Sequence, residues 1–101
     1  MTISSQMSES GNELTISVAG RFDFSQHQEF RDAYAELASK PEKYRIDMRD
    51  ANYLDSSALG MLLILRDYAG GDQADVEILN CNGDVRKILT ISNFEQLFTI
   101  H

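Results

Sequence analysis

The chain is poor in the residues that covalent and redox chemistry use. Of its 101 residues only Cys81 is a cysteine, so no internal disulfide is possible. Its place beside the apolar run "VEIL" reads as that of a buried structural thiol. The two histidines, His27 and His101, are scattered, and with one cysteine they show no metal-ligand spacing. Basic residues are also scarce: nine Lys and Arg stand against sixteen Asp and Glu, a net charge of −7. That deficit argues against nucleic acid as a partner, since binding there depends on neutralising phosphates. Long apolar runs are missing too. The longest, "MLLIL" at 61–65, falls far short of the roughly 20 residues that span a bilayer. The opening "MTISSQMSES" has neither a charged n-region nor an apolar core, so no signal peptide is expected. Together these features predict a cytoplasmic protein that needs no cofactor and no metal.

What is present suits a soluble domain: 43% hydrophobic and 25% charged residues. A chain this long is most simply one domain over 1–101, able to bury roughly two-thirds of its unfolded surface. "NELTISVAG" alternates Leu14, Ile16 and Val18 against polar neighbours, the period of a half-buried strand. "TISSQMS" is a weaker strand before it, and "ESGN" between them reads as a hairpin turn. Phe30, Ala33, Tyr34, Leu37 and Ala38 then fall at helical spacing over Gln26–Ser39, with Ser25 as the expected N-cap and Pro41 as the stop. "KYRIDMRD" predicts a third strand, "ADVEILN" a fourth and "EQLFTI" a short last one, while "NGDVRKILTI" predicts a helix. Strands alternating with helices imply parallel crossovers plus an antiparallel edge. The expected fold is α/β: a small sandwich with a mixed four- to five-stranded β-sheet flanked by helices.

One segment stands out. "YLDSSALGML" sets Asp55, Ser56 and Ser57 directly before a strongly apolar helix, expected over about Ser57–Ala69 and stopped by Gly70-Gly71. The hydrolase elbow G-x-S-x-G is absent, and neither histidine follows a strand as a triad partner would. A phosphate loop would need more glycine and a following lysine. Asp55 could sit at a receiver-type phosphorylation site, but Lys87 alone is thin support for one. No enzymatic activity is therefore expected. Ser56 can cap the helix, worth about 1 kcal/mol. A cap does not explain the apolarity that follows, since a helix on one side of a sheet needs only a stripe of about 100°. The surplus predicts a partner surface, expected at Ala58, Met61 and Leu65.

"DSSALGMLL" resembles the D-S-S-G-L-G segment of anti-sigma factor antagonists, the single-domain STAS proteins. "VAGRFDFSQHQEF" is similar to the strand, G-x-x-D and first helix of that family, and "CNGDVRKILTISNFEQLF" to its closing helix and turn. The resemblance runs in order through essentially the whole chain and implies a STAS-like mixed sheet with flanking helices. It also implies a partner-switching role: binding to an anti-sigma factor that is itself a serine kinase, release by phosphorylation of the first serine, and resetting by a serine phosphatase. Carried over by position, the acceptor is Ser56, flanked by Asp55 and Ser57, with Asp23 of the G-x-x-D segment near the same surface. Two departures stand beside it. Ala58 replaces the usual glycine, and the sequence ends at His101, where many members carry a further helix. The same domain type serves elsewhere as a small subunit of lipid-transporting ABC systems, which gives the alternative of a constitutive subunit.

Overall fold

A computed structural model describes residues 3–101. Strand β1 (Ile3–Met7) turns through Ser8–Asn12 into β2 (Glu13–Phe22); helix α1 (His27–Ala35), β3 (Lys43–Leu54), α2 (Ser56–Ala69), β4 (Val76–Leu79), α3 (Gly83–Ile91) and β5 (Thr99–Ile100) follow. The "ESGN" turn closes as expected, with the Ser8 amide donating to the Glu13 carbonyl and Gly11 at φ 78°. Strand order in the sheet equals order in the chain, β1-β2-β3-β4-β5. The first pair is antiparallel and the other three parallel.

Every parallel step moves in one direction, and such crossovers are right-handed. All three helices must therefore lie on the same face of the sheet. Burial agrees. Leu14, Ile16 and Val18 of β2, Tyr44, Ile46 and Met48 of β3, and Val76 and Ile78 of β4 are buried, whereas their alternating neighbours are not. They join Phe30 and Tyr34 of α1, Leu62 and Leu65 of α2, and Val85 and Leu89 of α3 in one cluster. The helices flank the sheet on one side only.

Two expectations about element ends need correction. Helix α1 ends at Ala35, not near Ser39: Glu36 already departs from helical backbone (φ −97°, ψ 13°), and Pro41 bars a return to it at Lys40. Strand β3 runs on to Leu54, past the expected end at Asp50. Two irregularities in the β2–β3 register, between Ser17 and Ala19 and between Gly20 and Arg21, shift the pairing from Ser17↔Asp47 to Phe22↔Leu54. Gly20 takes φ 75° there, a conformation that costs glycine little.

The open face of the sheet is charged rather than apolar. Glu77 on β4 is its centre: Lys43 Nζ lies 2.8 Å from Oε1, Arg45 Nε 3.5 Å from the same atom, and His101 Nε2 2.6 Å from Oε2. Arg45 also reaches Glu13 at 3.2 Å, so the network crosses β2, β3 and β4. The Lys43 ammonium, with His101 adding to it, holds the Glu77 carboxyl below its ordinary 4.5 against the opposing cost of burial. A lowered folded-state value means that this acid stabilises the fold above the ordinary value, an effect lost as pH falls through the folded one. Glu77→Gln is expected to melt below the wild type at pH 7. The gap should shrink steadily as pH falls below about 4.5, and parallel melting curves of the two proteins across that range measure it.

Candidate functional site

Each helix starts just beyond the carboxyl end of a strand, and each start carries its own cap. Asp23 follows β2. Its Oδ1 accepts the Ser25 amide at 2.9 Å and the Ser25 hydroxyl at 2.5 Å, while Gln26 Oε1 accepts the Asp23 amide at 2.8 Å. This reciprocal box opens a short 3-10 turn, Phe24–Gln26, that leads into α1. The expected cap, Ser25, is therefore a partner of the real one. Asp55 follows β3, and its Oδ1 accepts the Ala58 amide at 2.9 Å. Asn82 follows β4, accepts the Val85 amide at 2.8 Å, and donates from Nδ2 to the Ala51 carbonyl at 2.9 Å.

The parallel register brings the first two caps together. Phe22 lies beside Leu54, and the Asp55 amide donates to the Phe22 carbonyl at 3.4 Å. Asp23 and Asp55 thus sit on adjacent chain ends. Arg21 stacks its guanidinium 4.2 Å over the Tyr53 ring and approaches Asp23 Oδ2 at 3.7 Å. The Ser25 hydroxyl, then the Ser25 amide and Arg21, hold the Asp23 carboxyl below its ordinary value. Phe24, 62% exposed and stacked on His27, projects from the same end. The sequence reading singled out neither aromatic. A phenylalanine placed between two polar residues just after a strand was the available signal.

Asp55, not Ser56, caps α2, which corrects the expected cap. An aspartate in extended backbone (φ −110°, ψ −175°) places its carboxylate over the free amides of the first turn. Ser56 becomes the first helical residue. It is exposed and takes no part in the cap; Ser57 is half-buried. The spacing i, i+4, i+7, i+11 puts Ser56 in line with Gly60, Leu63 and Asp67, and three of these four are exposed. Ser57 instead heads the line of Met61, Ile64 and Tyr68, which forms one wall of a cleft of about 290 Å³ against α1.

The expected partner face needs a larger correction. Ala58 and Leu65 are fully buried, and Met61, 7% exposed, shows only the edge it gives to the cleft against α1. Helix α2 lies over the middle of the sheet between its neighbours and must bury more of its circumference than an edge helix does. The apolar surplus is real, but it emerges at Leu63 and at Ile64, the latter 60% exposed. Among the described residues no group of His, Cys, Asp and Glu is arranged to hold a metal ion, and no helix is long and apolar enough to cross a membrane.

Three comparisons bear on this arrangement. Residues 5–99 match the model of a family described as "Mlab, STAS domain". A STAS-domain containing protein of Pseudomonas aeruginosa (strain UCBPP-PA14) is 60% identical over 100 residues, which is 99% of each chain. Among solved structures, a Thermotoga maritima protein provisionally described as an anti-sigma factor antagonist superposes with TM-score 0.81 at 14% identity, over 97% of this chain and 84% of that one. The phosphorylated form of the Bacillus cell fate determinant SpoIIAA gives TM-score 0.63 at 17% identity, over 98% and 90%. At such identities the two structures share the fold, a five-stranded mixed sheet with three helices.

The two sides of α2 should respond differently to the same charge. Leu65→Lys places an ammonium in the core and is expected to cost at least about 3 kcal/mol. Ile64→Lys stays on the surface and should change stability by no more than about 0.5 kcal/mol. Urea unfolding of both variants measures the difference.

Proposed function

Because the chain belongs to the STAS domain family, we propose that it is a cytoplasmic regulatory binding protein, without catalysis of its own, whose partner is held or released according to the phosphorylation of Ser56. One observation carries this reading most directly: Ser56 stands exposed at the first position of α2 while Asp55 does the capping. A serine that caps a helix has its hydroxyl engaged. This one is spare, and modification of it takes nothing from the fold.

The physics of a switch follows from that position. A phosphate adds about −1.5 to −2 charge. Free amides and the dipole at a helix start favour an anion, so the modified domain stays folded. A docked partner meets the opposite situation. Asp55 and Asp23 already bring negative charge to this end of the molecule, and a phosphate pressed between two proteins loses its water. Leaving one charge unpaired in an interface can cost about 3–5 kcal/mol, which is roughly two to three and a half powers of ten in affinity. Phe24, Leu63 and Ile64 supply apolar surface for the unmodified complex. In this reading the partners are an anti-sigma factor or serine kinase that modifies Ser56 and a serine phosphatase that resets it. Asp23, Asp55 and Ser57 shape the docking loop.

The match to the Mlab description favours a second reading, a constitutive small subunit of a larger assembly such as a lipid-transporting ABC system. There Ser56 would be surface and nothing more. Incubation of the protein with lysate of the source cells and ATP, followed by intact-mass measurement and peptide mapping, separates the two. One phosphate on Ser56 is expected. Phosphate on Ser57 alone sinks the assignment, and none at all favours the constitutive subunit.

Ser56→Ala should keep stability within about 0.5 kcal/mol, because it removes no cap, and should bind constitutively. Ser56→Asp should fold and bind at least tenfold more weakly. Raising salt from about 0.1 to 1 M shortens the screening length from about 10 to 3 Å but scarcely reaches charges buried in an interface. The gap between phosphorylated and unmodified affinities should therefore persist at high salt, and convergence within about threefold would point instead to the long-range field of the −7 chain.

A further inference from the structure

The edge of the sheet farthest from β5 is unguarded. Strand β1 pairs with β2 on one side, and among the described residues nothing pairs with the other. In an antiparallel pair, alternate residues of an edge strand turn N–H and C=O outward, ready to pair with an added strand. Natural edges are usually blunted by lysine, proline or a bulge. Here "ISSQM" has no charge and no proline, and its register with β2 runs unbroken from Ile3↔Val18 to Met7↔Leu14.

Beside this edge runs a groove of about 480 Å³. Ile3, Ser4 and Ser5 form one wall, and Glu29, Asp32 and Ala33, one stripe of α1, form the other. Asp32 accepts a hydrogen bond from the Gln28 side chain at 2.8 Å, and neither acid is in an ion pair among the described residues. A groove between an edge strand and a helix is the geometry of recognition by strand addition, where main-chain bonds give affinity and alternate side chains give specificity.

We propose that this groove takes an extended basic peptide segment of another protein as a sixth strand, paired along β1. Five residues of β1 offer about 17 Å of edge, room for a segment of five or six residues. Every second side chain of such a segment points to the helix side. There the small Ser5 and Ala33 leave room for the aliphatic stem of Lys or Arg, and Glu29 and Asp32 meet its charge. A second copy of this chain fits poorly. Edge-to-edge pairing of two β1 strands would continue one sheet, with both α1 helices on the same face and their acid stripes brought together. None of its lining residues is among those assigned to the Ser56 end, and it does not depend on what is proposed there.

The test titrates a capped hexapeptide of alternating Lys and Val into isotopically labelled protein. Amide shifts are expected to concentrate in residues 3–7 and 29–33, with slowed exchange at the outward-facing amides of β1. The Glu29→Gln, Asp32→Asn double variant should bind about three- to tenfold more weakly, the scale of two exposed ion pairs. A peptide alternating Glu and Val should not bind. The decisive control is the Lys-Val peptide N-methylated at every backbone nitrogen, which keeps the charge and loses the donors. Its equal binding would overturn strand addition, as would shifts spread over the whole acidic surface or none at millimolar peptide. Sedimentation that shows a concentration-dependent dimer, with the same amides protected in the absence of peptide, would give the edge to a second copy and overturn the proposal.

Discussion

The candidate site depends on one pairing, Phe22 of β2 beside Leu54 of β3. Both side chains are buried, so the two strands end in step on the core side. The next residue of each chain then leaves the sheet at the same level, and both are aspartates that turn at once into helix caps. A slip of one residue would send the Leu54 side chain to the open face and carry Asp55 away from Asp23. The site is thus held by burial of an aromatic and a leucine, with the Asp55 amide on the Phe22 carbonyl joining the two chain ends.

Charge is distributed with some consistency around that frame. Acids at the helix starts meet amide dipoles, and on the open face Lys43 and Arg45 lie beside Glu77, with the His101 ring at its other carboxylate oxygen. The surplus negative charge is left on exposed helix and loop positions such as Glu29, Asp67 and Asp84. An added anion therefore meets different surroundings at different places. At the start of α2 the fold can accommodate it, which is the property a phosphoserine switch would need.

Much of this was readable in the amino-acid order. Alternation in Leu14, Ile16 and Val18 and in Tyr44, Ile46 and Met48 marks two strands, and Gly70 stops α2 where expected. What escaped depends on three-dimensional neighbours. Past Met48 the buried residues of β3 are Ala51 and Leu54, three apart, because irregular pairing with β2 absorbs the extra residues, and no single-strand period reveals that. The caps were a matter of weighing candidates. Asp-Phe-Ser-Gln at 23–26 carries the spacing of a capping box, and Asp-Ser-Ser leaves the choice among three adjacent capping residues open. A helical wheel sorts the residues of α2 into stripes but cannot tell how many stripes its neighbours cover. Met61 and Leu65 turned inward for that reason, leaving Leu63 and Ile64 outside.

The identity of strand order and chain order has a bearing on how the protein comes to be folded. No strand has to be inserted between two that are already paired, so the sheet can grow by addition at one advancing edge as the chain emerges. Each addition closes a loop of one helix and its connections, which keeps the entropic cost of every step modest. Each parallel pair nonetheless joins residues far apart in the chain, such as Ser17 and Asp47, so the sheet should assemble more slowly than a helical bundle of the same length. The hairpin of β1 and β2 can serve as the template on which β3 is laid. β5, two residues long and bonded through the His101 amide to the Ile78 carbonyl, comes last and closes the advancing edge.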